Sequence, residues 1–438
     1  MRVILLKLHQ AAAKKQGKLS RPGDVRLWHI GAALAVGFAA ALLGLAGLAW
    51  LAWALLRYPE IPHPRALSLH ETAGVLQLVF ASVAGAGALV ALIVAYRRQK
   101  VTEAQSVHDR TRVFNERFTA IAAQFGDDKP AVRLAGVHAM AGLADDWQAN
   151  RQTCIDVLCA YLRMPYEPDP GESAPPQDRL AFRASREVRD TVVRVITAHF
   201  RPEAGVSWQG LNLDFAGVVF DEVDFSGAVF CGGVVSFTGA RFSGGVVSFT
   251  GAKFSGGVVT FDRAEFSGSL VSFECAAFSR GAVSFIGAAF SSGLVKFVGA
   301  EFTGAEVSFG RAKFSGGLVS FGGAEFTGGE VGFDSANFSG GMASFRAAKF
   351  SGTEVSFGAA EFTGAEVSFG RAKFSGGLIR FGGAEFVSRG VSFEGAAFSA
   401  GVVDLRGVEL WLNPPEFDLS GSPPSGVMMP TELDGSPP

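Results

Sequence analysis

Hydrophobic and polar positions fall into three regimes along the chain. Ile30 to Leu56 is an uncharged apolar run, and Gly74 to Tyr96 is a second, shorter one. At about 1.5 Å per residue the shorter run reaches roughly 35 Å, enough for the hydrocarbon core of a bilayer. From 97 to 165 the pattern becomes helical. Val107, Phe114, Phe118, Ile121 and Phe125 share one face, Leu134, Val137, Ala141 and Ala144 a second, and Ile155, Leu158, Cys159 and Leu162 a third. Gly126-Asp127-Asp128-Lys129-Pro130 separates the first two helices. A linker rich in Pro, Glu, Asp and Ser covers 166–182. A helix over 183–207, with Val188, Val192, Val195 and His199 on one face, leads into repeats and is expected to cap them.

The third regime is periodic. Phe215, Phe220, Phe225 and Phe230 are five apart, and from Phe237 to Phe398 the steps alternate between seven and five. This gives a 12-residue unit, as in Phe254-Ser255-Gly256-Gly257-Val258-Val259-Thr260-Phe261-Asp262-Arg263-Ala264-Glu265. Two residues before most Phe stands Ala or Val (Val247, Ala252, Val259, Ala264), and the residue between is polar or charged. In extended backbone, residues two apart face the same way. Each short side thus sends a Phe and a small apolar residue inward, and Gly and Ser supply the corners. Alternating steps of five and seven keep no helical stripe. The sides are too short for an ordinary meander. The pattern predicts a coil whose turns stack at about 4.8 Å, with Phe242, Phe249, Phe254, Phe261, Phe266 and Phe273 in its core.

Val223-Asp224-Phe225-Ser226-Gly227, Ala240-Arg241-Phe242-Ser243-Gly244 and Ala252-Lys253-Phe254-Ser255-Gly256 resemble the pentapeptide-repeat family. The resemblance implies a mainly β fold, a right-handed quadrilateral β-helix over 208–412 with inward Phe and small residues. The departure is a two-residue insertion on alternate sides, which implies that two units make one coil, a 24-residue turn. The alternative is a 12-residue turn. Glu301, Lys313, Glu325, Asn337, Lys349, Glu361, Lys373 and Glu385 alternate in charge from one unit to the next, which pairs well only in the shorter turn. Four short sides and the five-residue lead-in favour the longer one. The two predict columns of roughly 40 Å and roughly 80 Å. The resemblance also extends to bacterial membrane-anchored members that carry a hairpin and a helical region before the repeats.

Basic residues orient the apolar runs. Arg2, Lys7, Lys14, Lys15, Lys18, Arg21 and Arg26 precede the first, and Arg97, Arg98 and Lys100 follow the second. The positive-inside rule predicts a cytoplasmic segment 1–29, a first span 30–56, an external loop 57–73, a second span 74–96, and both termini in the cytoplasm of a two-span cell-membrane protein. The small-residue stripe Gly37, Ala40, Gly44 and Gly47 supports close helix packing. The 413–438 tail, rich in Pro, Ser and Gly, is expected to be disordered.

Composition adds exclusions. Gly 56, Phe 40 and only 4 Tyr, with 18% charged residues, do not describe a mixed globular enzyme, and a net charge of −2 does not describe a strongly basic nucleic-acid binder. Cys154, Cys159, Cys231 and Cys275 show no metal-ligand spacing and are not expected to form a disulfide framework. No His lies between Phe215 and Phe398, and Ser-Gly-Gly reads as a corner. No catalytic residue, metal or cofactor is expected. One surface feature varies. Three residues before the Phe that closes the seven-residue step of successive units stand Val258, Leu270, Leu294, Glu306, Leu318, Glu330, Met342, Glu354, Glu366 and Leu378. The apolar members, Val258, Leu270, Leu294, Leu318, Met342 and Leu378, form a candidate interaction strip. The expected partners are the lipid bilayer, an unidentified cytoplasmic protein and a second copy in a homodimer, with nucleic acid disfavoured. The expected function is a membrane-anchored, non-enzymatic scaffold. The alternative is a DNA-mimicking inhibitor of a topoisomerase, as some members of the family are.

Overall fold

The computed structural model describes residues 69–417 apart from 167, 168 and 389, then 425–430, and isolated positions between 39 and 54. The chain divides into two units, Met1–Arg112 and Val113–Pro438. The expected basic segment 1–29 and most of the first span lie outside the described residues. The second apolar run lies within helix α1, Leu69–Phe125, whose first residues replace the end of the expected loop. Among the described residues no helix is long and apolar enough to cross a membrane, and the expected hairpin is not seen.

In the second unit the end of α1 packs with α2 (Pro130–Asp146), α3 (Arg151–Arg163) and α4 (Pro176–Phe200). Pro130 opens α2, where a missing N–H costs nothing. The predicted stripes are the buried ones: Val137, Ala141 and Ala144 on α2, Ile155, Leu158, Cys159 and Leu162 on α3, Val188 and Val192 on α4. Helix α4 begins at Pro176, inside the segment expected to be a linker. Its first two turns are solvated and mostly polar, so no apolar stripe announced them.

The repeats form a β-solenoid of about nine turns with a 24-residue spacing between successive coils. All strand pairing is parallel. Phe254 pairs with Phe278 and Phe278 with Phe302 in one column, Phe266 with Phe290 and Phe290 with Phe314 in another. The first coil is shorter, pairing Leu213 with Val235 and Val219 with Arg241, a step of 22 that reflects the five-residue lead-in. The expected 24-residue turn is the one seen, and the 12-residue alternative is not. Phe rings stack in four columns. In the column through Phe261, neighbouring centroids lie 4.7 Å apart with planes within 5°. Rings from columns on opposite halves of the coil meet edge to face, as Phe261 does Phe273 at 5.7 Å and 85°. Edge-to-face contact sets positive ring edges against negative faces. Phe242, Phe249, Phe254, Phe261, Phe266 and Phe273 are all at most 1% exposed, as are Ala240, Ala252 and Ala264 beside them.

Corners are of two kinds. After each long side a tight turn closes with the Ala252 N–H donating to the Phe249 carbonyl, and the third residue adopts positive φ. That position is Gly251 in one unit but Arg263, Cys275 or Ala359 in others, because a Cβ there meets open space. The Ser-Gly-Gly corner is crowded. At Gly257, with φ 71, a Cβ would sit 2.5 Å from the Gly233 carbonyl oxygen of the coil below. Where the residue is larger it does not take positive φ itself, and the hydroxyl turns inward: Ser269, after Gly268 at φ 78, donates to the Phe242 carbonyl, and Thr353 to the Gly328 carbonyl.

The solenoid does not stop at 412. Phe417 stacks on Phe393 at 4.7 Å, and Val427–Met428 pairs with Val403–Asp404. The expected disordered tail therefore contributes a partial last coil. Phe417 keeps the 24-residue step from Phe393, but Pro414 and Pro415 break the unit pattern around it. Residues 418–424 and 431–438 lie outside the described residues.

Candidate functional site

The strip position points outward because its neighbours point in: Val259 is 2% and Val295 2% exposed, while Val258 and Leu294 beside them are half-buried. The longer turn then sorts the strip. Every second unit falls in the same column, and neighbouring units fall on opposite halves of the coil. Leu270, Leu294, Leu318 and Met342 lie in one ladder, with Val246 before them and Glu366 after. Val258 and Leu378 lie in the other sheet. That second ladder runs Val258, Ala282, Glu306, Glu330, Glu354, Leu378. The candidate strip is thus two surfaces: an apolar row, in which Val246 is 45% and Met342 37% exposed, and an acidic row with apolar ends. Burial, then the charges of Glu306, Glu354 and Asp334, hold the Glu330 carboxyl above its ordinary range.

The short sides carry two more outward columns. One reads Lys253, Ala277, Glu301, Glu325, Lys349, Lys373. The other reads Arg241, Glu265, Ala289, Lys313, Asn337, Glu361, Glu385. Like charges therefore stack, Glu301 on Glu325 and Lys349 on Lys373, and opposite charges meet only at Glu325–Lys349, 2.7 Å, and Arg241–Glu265, 3.1 Å.

Where the helices meet the first coil, two polar clusters sit that the sequence pattern did not reveal. Arg189, 8% exposed within the apolar stripe of α4, donates to the Leu162 carbonyl at 2.8 Å and the Val219 carbonyl at 3.2 Å, and lies 4.4 Å from the Tyr166 ring centroid. Tyr166 donates to Asp221 at 2.7 Å, and burial followed by that carboxylate holds its phenol above the ordinary range. In the second cluster His199 stacks on Trp208 at 3.9 Å. Its Nδ1 is 2.6 Å from the Val195 carbonyl and its Nε2 3.2 Å from Asp145, which also accepts from Trp208 Nε1 at 2.8 Å. Arg189 was legible only as a charge on an apolar face. His199, expected on one helix face with Val188, Val192 and Val195, is a junction residue. Phe200 meets Phe230 at 5.7 Å, so the ring stack begins on the helix.

Cys154 and Cys159 are buried, and burial pushes their thiols up to about 11 and about 12. They behave as small apolar groups. Among the described residues no group of three or more His, Cys, Asp or Glu is placed to hold a metal ion.

No family model, curated protein or solved structure matches this chain. The four-column Phe core is consistent with a pentapeptide-repeat-like fold.

Proposed function

We propose that this chain is a membrane-anchored, non-enzymatic scaffold or protein-interaction module that presents a right-handed, four-sided β-helix to the cytoplasm. The observation that carries the interaction role is the row Val246, Leu270, Leu294, Leu318 and Met342, apolar side chains left at the surface of a fold whose core is already filled by Phe. Apolar groups held in a row on a rigid sheet make a docking face for another protein. Anchoring is supported by the two uncharged runs and their flanking basic residues. Crosslinking in native membranes tests both parts. A discrete protein should be recovered with the wild type and lost when Leu294, Leu318 and Met342 all become Asp. Unaltered recovery removes this face, and digestion of the repeats by protease added outside intact cells removes the topology.

The acidic row Glu306, Glu330 and Glu354 favours a second reading, a topoisomerase inhibitor that mimics DNA. Interspersed Lys and Arg weigh against it. Inhibition of supercoiling by the purified chain, abolished by Gln at those three positions, would favour it over the scaffold.

A further inference from the structure

We propose that the two short sides of the solenoid are complementary docking faces for a second copy of this chain, so that parallel columns associate side by side. Consecutive 12-residue units sit half a turn apart, on opposite halves of the coil and only about half of the ~4.8 Å coil spacing apart in height. The charge alternation along the sequence therefore writes opposite charges on opposite sides at each level. When one column's first short side meets another column's second, Lys253 faces Glu265, Ala277 faces Ala289, Glu301 faces Lys313, Glu325 faces Asn337, Lys349 faces Glu361 and Lys373 faces Glu385. Sliding one coil the other way keeps two opposite-charge pairs, Glu325 with Lys313 and Lys373 with Glu361, but sets Lys253 against Arg241 and Glu301 against Ala289, so the first register, with four opposite-charge pairs, is favoured.

Stacking of like charges within a column has a reason in this arrangement. A column alternating in sign would satisfy itself. Here Lys253, Glu301, Lys313, Lys373 and Glu385 have no ion-pair partner among the described residues, and remain available to a neighbour. The residues beyond the next inward Phe on the first side are small, Ser or Thr, as at Thr303, Thr327, Ser351 and Ser375, and the exposed Arg263, Arg311 and Arg371 stand at corners. Exposed pairs are individually weak. Held in rows on a rigid sheet, they select partner and register. A contact between two different faces does not close on itself, so it propagates into rows rather than stopping at a dimer. This inference rests on the register of the solenoid and not on the apolar row.

The test is sedimentation of the full chain in non-ionic detergent at about 0.1 M and about 1 M salt, where the screening length falls from about 10 to about 3 Å. The wild type should exceed monomer mass at low salt and fall to it at high salt. Lys349→Glu with Lys373→Glu in one chain should be monomeric, as should Glu361→Lys with Glu385→Lys in another, and an equal mixture should associate again. The neutral pair Lys349→Gln with Lys373→Gln, which strains the stack less, should associate at least about tenfold more weakly than the wild type. A monomeric wild type at low salt overturns the proposal. So does wild-type association of the Glu361→Lys, Glu385→Lys chain, which would mean that like sides meet antiparallel. The Asp substitutions in the apolar row should leave this association unchanged.

Discussion

Phe297 lies between Phe273 and Phe321, each 4.7 Å away, and touches Phe285 and Phe309 edge to face at 5.9 and 5.8 Å. Such a ring cannot be removed without a cavity, because stacked coils above and below prevent collapse. Phe297→Ala should cost about 3–5 kcal/mol in denaturant unfolding, whereas Phe398→Ala, at a half-buried terminal ring, should cost clearly less. Backbone predictions run the other way. Ala359 holds φ 51 where Gly323 holds φ 64 in open space. A left-handed residue with a Cβ is strained, and glycine removes the strain at some entropic cost. Ala359→Gly should raise stability by up to about 1 kcal/mol and Gly323→Ala should lower it by a similar amount, both read from denaturation midpoints. Glu330 gives a pH signature. Its folded-state carboxyl titrates above the ordinary range, so ionisation destabilises the fold at neutral pH. That penalty fades as pH falls through the raised value and is gone below the unfolded carboxylate range. The side chain is exposed, so solvent screens much of the repulsion. Glu330→Gln should stabilise by roughly 0.2–1 kcal/mol at neutral pH, and the difference between the two proteins should vanish below about pH 4.

Helix α4 meets the first coil through Arg189, whose two carbonyl acceptors belong to Leu162 and Val219. Arg189→Met keeps most of the volume and strands both acceptors. It should cost about 2 kcal/mol or more, with hydrogen exchange rising first in the coil from Leu213 to Val223. At this scale the sequence was informative wherever burial imposed a period. The stripes Val137–Ala141–Ala144 and Ile155–Leu158–Leu162 are buried as their spacing demanded, and every seven-and-five step of Phe from Phe237 to Phe393 lands in the core. It was silent where solvent removes the period. The first turns of α4 were read as linker, and the coil through Phe417 was read as tail because Pro414 and Pro415 interrupt its unit. The Arg189 and His199 clusters depend on contacts between residues up to 63 apart, which no local pattern carries.

Across the whole repeat region, the length of the turn decides which residues share a surface. Twelve-residue units in a 24-residue coil place odd and even units on different halves, so one strip of outward residues becomes an apolar row and an acidic row. The sequence carried each residue of those rows but not their separation. The unit-by-unit charge series pointed toward the shorter turn and the five-residue lead-in toward the longer one, and the register of the Phe ladder decides for the longer. Both proposed surfaces, for a protein partner and for a second copy, follow from that register. Disulfide trapping in a chain with its four native cysteines changed to Ser tests it most directly. Lys349→Cys with Lys373→Cys places the pair on adjacent coils at about 4.8 Å, within disulfide reach, and should form an intramolecular bond on mild oxidation. Lys349→Cys with Glu361→Cys places the pair on opposite halves of the coil and should form no intramolecular bond. Ready intramolecular bonding of the second pair and none of the first would contradict the 24-residue coil and both surfaces built on it.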